Sequence, residues 1–122
     1  MSDETQVTQL LRLLATLDVD VETGVMQCGN DAEFYCDLIR ELHEDVLVRR
    51  AAALATGEGA ECLQYAHLLK GTLQTLGETR ASQRARELEQ ALRSGRPGDE
   101  LARQLLKDLE RLDGALGTFF AQ

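Results

Sequence analysis

Proline, aromatic residues and long apolar runs are all scarce in this chain. The single proline is Pro97, tryptophan is absent, and aromatics make up 4% of the 122 residues. Strands draw on aromatic and β-branched residues, and helix interiors tolerate almost no proline, so these absences favour an all-α fold. No stretch approaches the roughly 20 apolar residues of a membrane span, and the N-terminus is acidic and polar where a secretory leader would be basic and then apolar. The expectation is a soluble, cytoplasmic protein with no membrane partner. Long runs of lysine or arginine are also missing, and the formal net charge is −8. Neutralising a phosphate backbone takes a basic patch, so nucleic acid is not expected as a partner. The 3 cysteines, Cys28, Cys36 and Cys62, are odd in number and form no Cys-x-x-Cys pair. They read as small buried hydrophobes of a reducing compartment rather than as disulfides or metal ligands.

What the chain does have is helical periodicity. Its length suits one domain with one core over residues 1–122, and leaves no room for a kinase core beside it. Leu10, Leu11, Leu13, Leu14 and Leu17 mark a first helix over Val7 to Leu17, and a short one over Val21 to Cys28 stops at Gly29. These residues, 1–29, are expected to cap a bundle formed by residues 30–122. Asn30 or Asp31 can cap the next helix, which runs from Ala32 to about Thr56 with Phe34, Tyr35, Leu38, Ile39, Leu42, Val46 and Ala53 spaced by threes and fours. Gly57 and Gly59 end it. Helices over Glu61 to Leu76 and Thr79 to Arg93 follow, separated by Gly77. Gly95-Arg96-Pro97-Gly98 is the clearest turn, and Asp99 or Glu100 opens a last helix to about Phe119. Four long helices on short loops predict an antiparallel four-helix bundle with additional N-terminal helices.

The helix Glu61 to Leu76 carries the chemistry. At about 100° per residue, Cys62, Tyr65, Ala66, Leu69, Leu73 and Leu76 share an arc centred roughly 200° from His67, so the core faces one way and the imidazole faces water. Lys70 lies one turn from His67, Gly71 beside it, and Gln74 about two turns on. A glycine inside a helix costs about 1 kcal/mol relative to alanine, so Gly71 next to an exposed histidine suggests that something approaches the backbone there.

Ala66-His67, Leu69-Lys70-Gly71 and Leu76-Gly77, followed by Ala85 and Leu88-Glu89, resemble the signature of histidine-containing phosphotransfer (HPt) domains of bacterial phosphorelays. Upstream, Gly24-Val25-Met26, Gly29-Asn30-Asp31, Phe34-Tyr35 and Leu38-Ile39 are similar to that family's entry into its first long helix, so the resemblance spans about Asp20 to Gly95. It implies a phosphocarrier in which His67 takes a phosphoryl group from the aspartate of one receiver domain and passes it to another. The expected partners are receivers of a hybrid histidine kinase and of a response regulator. Lys70 would answer the charge of the transferring oxygens, and Gly71 would leave room for the receiver's loops. Gln74 either donates a hydrogen bond or is solvated. The family also points to Glu89 as the group that orients the imidazole; the other reading is a surface glutamate paired with Arg86 or Arg93 along its own helix. No cofactor is expected on this chain, because the magnesium of such a relay sits on the receivers.

Leu63, one turn before His67, and Leu68 at its side either pack on the N-terminal helix or form an apolar ring for a docked receiver. His43 reads as a surface residue. A kinase dimerisation helix is disfavoured, since no proline follows His67 and no Gly-rich nucleotide site exists. A di-metal enzyme lacks the Glu-x-x-His pattern it would need. The remaining alternative is an adaptor bundle that binds a receiver or kinase domain without being phosphorylated. Thr72 and Leu73, bulkier than the small residues the family tends to place after the glycine, leave that reading open. A bundle that completes its own core is expected to be a monomer.

Overall fold

The computed structural model describes residues 4–122. Among the described residues every regular element is helical, in the order α1 (Glu4–Thr16), α2 (Val21–Gln27), α3 (Ala32–Glu41), α4 (Arg50–Leu54), α5 (Gly59–Leu76), α6 (Thr79–Arg93) and α7 (Asp99–Phe120). Caps written in the sequence set the starts. Asp20 accepts from the Thr23 amide at 3.1 Å, Asp31 from Phe34 at 3.0 Å and Glu78 from Ala81 at 3.3 Å, each satisfying an amide that the first turn leaves unpaired. At the other end of α5, Gly77 takes φ 88°, the left-handed conformation that closes a helix, and lets the chain turn directly into α6.

The bundle is built from α3 with α4, then α5, α6 and α7, joined by short loops that make sequential neighbours antiparallel. One continuous core runs through it, from Leu10 and Leu14 of α1 to Leu109 and Leu116 of α7. In α1 and α2 the N-terminal segment covers one end: α1 packs on α3, and α2 on the C-terminal part of α5. That second contact is close, because a Cβ on Gly24 would lie 2.5 Å from both the Leu76 carbonyl oxygen and the Tyr35 ring. Tyr35 is fully buried and donates its hydroxyl to the same Leu76 carbonyl at 2.7 Å. All three cysteines are free and buried, and desolvation pushes the Cys36 thiol up to about 11.

The helix expected from Ala32 to Thr56 is not continuous. A π turn at Leu42–Val46 and a 3₁₀ turn at Leu47–Arg49 separate α3 from α4. Side chains take over carbonyls that a regular helix would use: Tyr65 donates to Val46 O at 3.1 Å and Arg50 to Leu47 O at 2.7 Å. His43, read from sequence as a surface residue, is mostly covered in this irregular segment. Its Nδ1 lies 2.6 Å from Asp113 Oδ1 on α7, and Arg50 holds the other oxygen of Asp113 at 2.8 Å. The irregular turn is thus fastened to α7 by an ionic cluster between residues far apart in sequence.

Candidate functional site

The orientation of α5 is set by its core. Leu69 and Leu73 have no exposed surface, and Cys62, Tyr65, Ala66 and Leu76 are nearly as covered. Burying one leucine contributes about 2 kcal/mol, so turning the helix by even one residue would cost several such contributions. His67 is held on the opposite side, with 61% of its side chain exposed. Helices α5 and α6 are tied beside it. Ser82, itself buried, donates to the Lys70 carbonyl at 2.8 Å, and Arg86 donates to the Gln74 side-chain oxygen at 3.3 Å.

Glu89 on α6 is the centre of the site. Only 7% of its side chain is exposed, and the carboxylate is shared by residues from both helices. Oε2 lies 2.6 Å from His67 Nδ1, while Oε1 accepts from Lys70 Nζ at 2.8 Å. Arg93, one turn further along α6, donates to Oε2 from Nη2 at 3.0 Å and from Nε at 3.2 Å. The Lys70 ammonium, together with the Arg93 and His67 contacts, pulls the Glu89 carboxyl down to about 2 against the opposing effect of burial. At neutral pH Glu89 is therefore ionised and can only accept hydrogen bonds. The proton in the His67 contact belongs to Nδ1, which leaves the lone pair of a neutral ring on Nε2. Glu89 contacts both the imidazole and Arg93, but it is buried and not the surface glutamate of the second sequence reading, because α6 packs it against α5.

Gly71 sits in a helical conformation on the exposed face, and a Cβ built on it would meet nothing within 4 Å. Nothing within the described residues demands a glycine there. Beside it runs an open groove of about 650 Å³ between α5 and α3, lined by Leu38, Leu42, Val46, His67, Leu68 and Thr72 among others. Leu68 is 38% exposed on its rim. Leu63 is half-buried and lines a separate cleft at the loop end with Leu92 and Pro97. Gln74 is brought to Arg86 and not to His67.

Sequence reasoning missed the second imidazole-carboxylate pair, His43 with Asp113, whose separation matches that of His67 and Glu89. Access distinguishes them, because only 23% of the His43 side chain is exposed. Among the described residues no group of three or more His, Cys, Asp or Glu side chains is placed to hold a metal ion, and no helix is long and apolar enough to cross a membrane.

The Hpt domain family model matches residues 33–115, a stretch that includes α5, α6 and the whole site. No curated protein and no solved structure matches the chain significantly. Hpt domains carry phosphoryl groups on histidine in phosphorelays, act with receiver domains and lack kinase activity. With the match spanning more than half its length, the chain belongs to the Hpt domain family.

Proposed function

We propose that this protein relays a phosphoryl group between receiver domains, with Nε2 of His67 as the nucleophile. The observation that carries this is the exposed imidazole whose Nδ1 is fixed on an ionised, buried Glu89 at 2.6 Å. Nε2 attacks the phosphorus of a receiver's phosphoaspartate, the P–N bond forms, and the acyl P–O bond breaks with its electron pair leaving on the aspartate. The ring becomes cationic as Nε2 gives up its lone pair, while Nδ1 keeps its proton. Glu89 stabilises that charge through the Nδ1 contact, in the way a buried carboxylate supports a catalytic histidine in hydrolases. Lys70, one turn along, answers the charge on the transferring oxygens. Return transfer to a second aspartate reverses each step.

The groove beside His67 is the surface assigned to the receiver. Leu68 offers an apolar rim and Gly71 a bare stretch of backbone that a partner's loop can approach. Leu63, in its separate cleft, extends that surface toward the loop end, and Gln74 lies at the far margin of the site. The magnesium of the relay belongs to the receivers, and no cofactor is assigned to this chain. The whole chain, residues 1–122, acts as a single unit and a monomer in this reading, in the cytoplasm where two-component receivers work.

The test is to mix the protein with phosphorylated receiver domains from its own cell and look for acid-labile, alkali-stable phosphate. His67→Gln and His43→Gln variants run alongside. Label on wild type and on the His43 variant, but not on the His67 variant, supports the relay. Binding of a receiver by a folded protein that never takes label would replace it with the adaptor reading.

A further inference from the structure

In the free protein Lys70 is engaged with Glu89, its ammonium 2.8 Å from Oε1, and the relay reading asks it to turn toward the incoming oxygens. That move strips a buried carboxylate of its nearest cation, and a carboxylate so covered does not remain uncompensated. Arg93 already contacts the other oxygen, Oε2, through two nitrogens. It is placed to stay when Lys70 leaves.

A second consequence concerns the imidazole itself. Glu89 fixes the ring through Nδ1 only if the carboxylate is itself held in place. Arg93 shares Oε2 with His67 and so holds the oxygen that sets the ring's tautomer. Its side chain is 58% exposed in the last turn of α6, so core packing does not account for where it lies.

We propose that Arg93 is a positioning residue of the phosphotransfer site, holding Glu89 in place and its charge balanced while Lys70 passes from Glu89 to the phosphoryl group. The inference rests on the relay reading for the second half of that statement. The first half concerns the free protein and is tested without a partner.

The experiment compares wild type with Arg93→Met, Arg93→Lys and Lys70→Met, each checked for folding by circular dichroism. The tautomer of the His67 ring is read by nitrogen-15 NMR in the free protein, and single-turnover transfer from a phosphorylated receiver is followed against receiver concentration. In Arg93→Met the Nδ1-protonated tautomer expected of wild type gives way to a mixture with the Nε2-protonated one, as the carboxylate loses its hold on the ring. At saturating receiver the rate falls by about tenfold, as for loss of other groups that orient a reacting side chain, while the half-saturating concentration changes little. Arg93→Lys restores tautomer and rate together.

If Arg93→Met keeps the wild-type tautomer and transfers as wild type does, the residue is an exposed helix pair and the inference is wrong, whatever the fate of the relay. A lower rate with an unchanged tautomer and no rescue by lysine also overturns it. A changed tautomer in a protein that no receiver phosphorylates retains the positioning role and removes the relay reading instead.

Discussion

Nδ1 of His67 and Oε2 of Glu89 lie 2.6 Å apart across the α5–α6 interface, joining an exposed ring to a buried carboxylate. The pair fixes which nitrogen carries the proton, and with it which nitrogen can react. Replacing Glu89 by glutamine keeps the shape and removes the charge. Single-turnover transfer to His67 is expected to slow about tenfold or more, in the range found when groups that orient reactive histidines are lost. An unchanged rate would mean that the contact is incidental.

The same carboxylate gives an acid dependence with a definite sign. Folded Glu89 titrates at about 2, below its ordinary 4.5, so its contribution to stability is complete above about 4.5 and disappears as the pH falls through 2. Urea unfolding of wild type and Glu89→Gln should therefore show a gap at neutral pH that closes over this window. A gap of constant size down to pH 2 would contradict the assignment.

Gly71→Ala separates the needs of the fold from those of the partner. The added methyl meets nothing within 4 Å, and alanine favours a helix by up to about 1 kcal/mol, so the variant should unfold at higher denaturant. If the bare backbone serves a docked receiver, binding should weaken in the same variant. Higher stability with unchanged binding would remove Gly71 from the interface.

Leu68 and Leu69 are neighbours in sequence with opposite fates. Leu69→Ala empties a fully buried position and should cost about 2–5 kcal/mol. Leu68→Ala, on the groove rim, should cost about 1 kcal/mol or less in stability and weaken receiver binding by about fivefold. Calorimetry and titration of the two variants check both halves.

Much of this arrangement is legible in the sequence because one periodicity governs it. The arc from Cys62 to Leu76 sets the face of α5, so the exposure of His67 follows from spacing alone, and Asp31 and Gly77 mark element ends through local chemistry. The break at Leu42–Arg49 is invisible to such reasoning. It depends on Tyr65 and Arg50 reaching carbonyls and on Asp113 meeting His43 from another helix. For Glu89 the family resemblance offers an imidazole partner, and helix spacing offers Arg86 or Arg93 as the alternative. Only the packing of α6 on α5 shows that one carboxylate reaches His67, Lys70 and Arg93 together.

The most direct test of the central claim is the position of the phosphate on the ring. The protein, phosphorylated by a receiver, is examined by phosphorus-31 and nitrogen-15 NMR under alkaline conditions, where phosphohistidine survives. The account predicts a single species with phosphorus bonded to Nε2 of His67, the nitrogen turned away from Glu89. Phosphorus on Nδ1 of His67, or on the His43 ring, would contradict it.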